Sequence, residues 1–113
     1  MRESSIERRL STLVQRAGGI SVKIPPVAAG APDRLILLPV GQMFLVETKA
    51  PGGSLRPIQR AWHERAAKAG ITVHVLSSKA EVEEWVRVRS SNNQGTMKIT
   101  PPDDSGPQRG NRA

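Results

Sequence analysis

Three ionisable residues fall where strands would bring them together. Residues 44–50 read FLVETKA, an apolar run that takes on Glu47 and Lys49 at its end. Side chains alternate across a strand, so Met43, Leu45, Glu47 and Lys49 share one face. The preceding apolar run opens with Pro32-Asp33, and a tight hairpin centred near Val40 puts Asp33 opposite Glu47. Directly opposed residues have Cβ atoms about 5 Å apart. Two carboxylates that close repel, and one takes up a proton unless a cation relieves the conflict. Mg²⁺ takes oxygen ligands, usually one or two carboxylates with waters and a substrate phosphate. Lys49, next along the face, could hold and polarise a water as it attacks phosphorus. The chemistry this describes is metal-assisted hydrolysis of a phosphate ester. The plain alternative is a solvated edge-strand pair with Asp33 in a turn. Against it, the charges end a strongly apolar strand, Asp33 is the only Asp before residue 103, and the surroundings are rich in Arg and Lys.

The elements that must position these residues are legible from periodicity. Ile6, Leu10, Leu13, Val14 and Ala17 fall on one face of a helix over 5–17, which Gly18-Gly19 stops. Ser4 and Glu7 form an S-x-x-E capping pattern at its start. ISVKI (20–24) alternates like a strand until Pro25-Pro26. Strands follow at 34–38 and 43–49, joined by a turn at 39–42. A second helix is expected over 56–69, a strand over 72–76, and a third helix over 79–89 capped by Ser78 and Glu81. The order is α-β-β-β-α-β-α. Short connections make the first three strands antiparallel neighbours, and the second helix is long enough for a parallel crossover. The fold class is therefore α/β, a small mixed sheet flanked by helices.

Composition narrows the partner. The 113-residue chain carries 17 Lys+Arg against 10 Asp+Glu, a formal charge of +7, with a pI of about 11.1. Such a balance suits a polyanion such as nucleic acid. With no cysteine, disulfides and thiolate metal sites are excluded, and two histidines argue against a histidine-rich zinc site. No apolar run reaches the roughly 20 residues a membrane span needs, and MRESSIERRL lacks the apolar core of a signal peptide. The expected location is the cytoplasm, with no membrane association. Residues 90–113, rich in Ser, Asn, Gly and Pro and without an aromatic, read as a disordered tail with a short ordered piece at Met97–Thr100. The folded domain is then 1–89.

The quoted residues also carry a resemblance. P-D at 32–33 with E-T-K at 47–49 resembles the signature of the PD-(D/E)XK nuclease superfamily, whose fold is restriction-endonuclease-like with an αβββαβ core. GAPDRLILL (30–38), FLVETKAPGGSLRPIQRAWH (44–63) and AGITVHVL (69–76) resemble its VRR-NUC branch, the virus-type replication-repair nucleases. The resemblance covers about residues 3–88. It implies a Mg²⁺- or Mn²⁺-dependent DNA endonuclease, and stand-alone members look like homodimeric Holliday-junction resolvases. It implies that Asp33 and Glu47 bind metal, that the Thr48 backbone carbonyl is a further ligand, and that Lys49 is the catalytic lysine. Gln59 matches a glutamine near the active site. Glu7 matches an acid that many members contribute from the first helix; its alternative is the capping role.

Other residues have two readings. On the second helix Arg56, Gln59, Arg60 and His63 form a polar face, and Ile58, Trp62, Ala66 and Ala69 an apolar face expected in the core. Arg56, Arg60 and His63, with Lys23 and Arg34 near the site, are candidate DNA contacts or ordinary solvated residues. His74 reads as an ordinary strand position, and Trp62 and Trp85 as core or dimer contacts. The expected activity is structure-selective cleavage of branched DNA, a four-way junction or flap. A dimer would use apolar patches on the first or third helix. The rival reading is a non-catalytic DNA-binding module on the same fold.

Overall fold

The computed structural model describes residues 2–26 and 28–96, and the side chains of these except 92–96. Elements run α1 (Glu3–Arg16), β1 (Ile20–Lys23), β2 (Arg34–Leu38), β3 (Gln42–Thr48), α2 (Pro57–Lys68), β4 (Val73–Leu76) and α3 (Lys79–Thr96). One four-stranded sheet has the order β1-β2-β3-β4. The first three strands are antiparallel, and β4 joins β3 in parallel after the α2 crossover. The small mixed sheet flanked by helices is the expected architecture. Two ends differ from expectation. Helix α1 begins one residue before Ser4, with Arg2 as a cap that makes no side-chain bond. Ser4 therefore lies inside the helix and the Ser4–Glu7 capping box does not form. Helix α3 continues to Thr96, past the expected stop at 89, so residues 90–96 are helical. The Met97–Thr100 segment lies outside the described residues.

The period of two along each strand separates the sheet into two faces. Ile36, Leu38, Val46 and Leu76 point to the face that α1 and α3 cover. Against them pack Ile6, Leu10 and Val14 of α1 and Val82, Trp85 and Val86 of α3. Six of these ten are wholly inaccessible to solvent, and full burial of one such aliphatic side chain stabilises by about 1.5–3 kcal/mol. The apolar faces of α1 and α3 are thus core, not the dimer surfaces the sequence offered. At the β4 side Phe44, His74 and Trp85 meet edge to face. The Trp85 indole N–H donates to His74 Nδ1 at 3.2 Å, and the Arg89 guanidinium lies 4.3 Å from the Trp85 ring centroid. His74 is a strand position, as expected, and packs in this cluster.

The opposite face is covered in part only, by α2 beside β3 and β4. Ile20, Val22 and Met43 lie there and remain exposed, Met43 at 65%. A cavity of about 480 Å³ runs between Leu35, Met43, Leu45 and Ile71. No described helix is long and apolar enough to cross a membrane.

Candidate active site

The β2–β3 hairpin sets the site. Its register pairs Leu38 with Gln42 and Arg34 with Val46, so the next step beyond Arg34 brings Asp33 level with Glu47. The turn is centred on Val40, as expected. The ladder continues past the strand ends: the Ile24 N–H donates to the Asp33 carbonyl at 2.9 Å, and the Lys49 N–H to the Leu76 carbonyl at 2.9 Å. Asp33, Glu47 and Lys49 therefore stand on backbone held on both sides.

Each carboxylate is then oriented by a neighbour. The Thr48 N–H and hydroxyl donate to Asp33 Oδ1 and Oδ2, at 3.1 and 2.7 Å. Glu47 Oε2 accepts from Gln59 Nε2 at 3.0 Å. Gln59 is buried, and its own Oε1 accepts from the Arg56 N–H at 2.8 Å, which fixes the amide so that its NH₂ faces Glu47. Glu47 Oε1 is buried and has no partner. Burial, with Asp33's charge behind it, pushes the Glu47 carboxyl up to about 7. Asp33 is raised as well, by burial, against the hydrogen bonds from Thr48.

These observations test whether a hard cation fits. Two carboxylates that disfavour each other's charge, one with a buried free oxygen, are a donor set that a divalent cation would satisfy. No group of three or more His, Cys, Asp or Glu gathers among the described residues. Two carboxylates suffice for Mg²⁺, which keeps waters and takes ligands from a substrate phosphate.

The cleft around the pair, of about 660 Å³, is also lined by Lys49, Lys23, Arg56 and Glu3. Glu7 is not among its lining. Lys23 Nζ and Arg34 Nε both donate to Glu7 Oε2, at 3.0 and 2.8 Å. Burial raises the Glu7 carboxyl, but these hydrogen bonds and charges outweigh it and hold the group low. The α1 acid that reaches the cleft is Glu3, one turn earlier, which the sequence reading missed. Its signal was the i, i+4 spacing to Glu7: residues one turn apart share a helix face.

Helix α2 is turned differently from the expectation. Gln59 is its buried residue, while Ile58, assigned to the core, is 47% exposed. The inward side is mixed: Trp62, His63 and Ala66 are half-buried beside Gln59, while Arg56 and Arg60 stay exposed. His63, one turn beyond Gln59, is half-buried with Nε2 shut off from solvent and unpaired, so that atom does not contact DNA. Burial lowers its pKa, and the Lys49 charge lowers it further. Of the other candidate DNA contacts, Lys23 and Arg56 are exposed in the cleft. Arg34 is mostly buried against Glu7, and Arg60 is exposed but donates to the Leu55 carbonyl at 2.7 Å.

The VRR-NUC domain family matches residues 3–80. "Putative nuclease p44" of Acyrthosiphon pisum secondary endosymbiont phage 1 is 44% identical over 80 residues, 70% of this chain and 86% of that protein. A solved structure described as a VRR_NUC domain superposes with a TM-score of 0.68 at 30% identity, over 75% of this chain and 94% of that one. The chain belongs to the VRR-NUC domain family.

Proposed function

We propose that the protein is a Mg²⁺-dependent, structure-selective DNA endonuclease, with Mn²⁺ as a substitute. The observation that carries this is the carboxylate pair: Asp33 and Glu47 level on adjacent strands, with Glu47 Oε1 buried and unpaired. In this reading Asp33, Glu47 and the Thr48 carbonyl hold the cation. Bound there, it supplies charge stabilisation at the scissile phosphate and a nucleophile at neutral pH. Lys49 orients the attacking water. Gln59 keeps Glu47 aimed and is a positioning residue, since its amide donates to Glu47. Lys23 and Arg56 hold the flanking phosphates. The product carries a 5′-phosphate.

The substrate in this reading is branched DNA, a four-way junction or a flap, which the resemblance to resolvases supports. Symmetric cutting of a junction by a chain with one site calls for a two-fold dimer. The uncovered sheet face of Ile20, Val22 and Met43 supports that contact better than α1 or α3, whose apolar faces are buried. Met43→Glu should then shift the sedimentation of a dimer to that of a monomer.

The test of the catalytic reading is cleavage of labelled junction, flap and duplex by wild type and Asp33→Asn, with Mg²⁺, Mn²⁺ or EDTA. Metal-dependent cutting, lost in Asp33→Asn while DNA binding survives, is the expected result. Tight binding without cutting in either metal would replace it with the non-catalytic DNA-binding module.

A further inference from the structure

The cleft has an apolar wall that phosphate chemistry does not use. Ile58 is 47% exposed at the second residue of α2, beside the buried Gln59 that holds Glu47. Facing the same cleft are Pro25, Pro26, Ala28 and Ala29, all exposed. None of these side chains can donate or accept a hydrogen bond. Gly30, at φ +85°, brings the loop so close to α2 that an added Cβ would stand 2.4 Å from the Ile58 carbonyl oxygen. Only glycine tolerates both the conformation and the approach.

A single exposed isoleucine on an open surface means little. This one shares a cleft with three carboxylates and three cations. The outer surface of intact duplex DNA is sugar and phosphate, which matches Lys23, Lys49 and Arg56 but leaves the apolar wall without a counterpart. The apolar part of DNA is the face of a base, and it is open to a protein where stacking is broken. Isoleucine and proline are side chains known to enter such gaps. The cleft volume of about 660 Å³ lies within the range of small-molecule sites, about 300–1,000 Å³.

We propose that Ile58, with Pro25 and Pro26 in the same cleft, receives an unstacked base next to the scissile phosphate, and that this contact makes branched DNA the better substrate. The inference rests on the nuclease reading and names the device behind its structure selectivity. Among the described residues no aromatic lines the cleft, so the base is held by van der Waals contact and the preference is for an unpaired base of any sequence.

The experiment compares wild type and Ile58→Ala on flap, four-way junction and intact duplex, reading kcat/KM for each in Mg²⁺. Alanine suits an exposed helix position, and a thermal melt confirms that the fold is kept. Branched substrates should lose about tenfold, the scale of a few methylenes removed from an apolar contact, while duplex cleavage stays within about twofold. Equal losses on all three, or none, would overturn the proposal. In parallel, 2-aminopurine at the unpaired position next to the expected cut reports the base directly, in EDTA. Its fluorescence should change on binding to wild type and change less with Ile58→Ala. If wild type cuts nothing, the nuclease reading fails and the 2-aminopurine signal still decides the base contact. An identical signal from both proteins sinks it.

Discussion

The two faces of the sheet are built from the same strands and have opposite characters. Toward α1 and α3, Ile36 and Val46 are closed to solvent completely. Toward α2, Val22, Met43 and Val75 stay exposed, and the strand end carries Glu47 and Lys49. One face holds the fold together. The other carries polar groups whose burial works against stability: a raised Glu47 carboxyl, an unpaired Glu47 Oε1 and an unpaired His63 Nε2. A small domain can carry such groups because the opposite face is packed without them.

Mutation across the sheet would break this contrast if it is wrong. Ile36→Ala should cost about 2–5 kcal/mol, as buried isoleucine truncations do. Met43→Ala, on the same hairpin and facing the other way, should stay within about 0.5 kcal/mol in a monomeric sample. Urea melts of both variants at low protein concentration are the measurement. Similar losses would mean that the second face is packed after all.

The pH dependence sharpens the contrast next. The Glu47 carboxyl moves from an ordinary value of 4.5 up to about 7, through burial first and Asp33's charge second. The folded chain therefore binds more protons than the unfolded chain between those values. The resulting stability is full below about pH 4.5 and is lost as pH rises through about 7, by up to about 3 kcal/mol. In EDTA, the stability of wild type relative to Glu47→Gln should fall between pH 5 and pH 8. Mg²⁺ at pH 8 should recover stability in wild type and not in Glu47→Gln. A difference between the two proteins that ignores both pH and Mg²⁺ would contradict the carboxylate-pair account.

The smaller effects separate site from scaffold. Gln59→Leu removes the amide that aims Glu47, as well as the acceptor for the Arg56 N–H. Loss of such an orienting partner costs about 10–100-fold, so kcat should fall by that much while KM for DNA stays nearly constant. A rise in KM alone would make Gln59 a binding residue instead. At the far end of the hairpin, Val40 sits at φ 68°, a left-handed conformation unfavourable for a β-branched side chain. Val40→Gly should raise stability by up to about 1 kcal/mol and leave cleavage unchanged. A loss of stability would mean that the Val40 side chain contributes more than its conformation costs.

The site was legible where the physics was local. Alternation along FLVETKA put Glu47 and Lys49 on one face, and the length of the turn at Val40 set Asp33 level with Glu47. The core face of α1 followed from helical spacing. Helix α2 was misread because both of its sides carry residues that could face inward. Spacing alone favoured Ile58 for the core, whereas the buried carboxylate required Gln59.

The sequence by itself determined the order of elements, the hairpin register and the identity of the Asp33, Glu47 and Lys49 set. Strand period and turn length are properties of neighbouring residues. Tertiary structure alone decided that Glu7 is held by Lys23 and Arg34 while Glu3 reaches the cleft, that His63 Nε2 is closed off, and that the exposed apolar surface is a sheet face. Each depends on how a helix is rotated against the sheet. That rotation is set by packing between residues far apart in the chain, which no local spacing records.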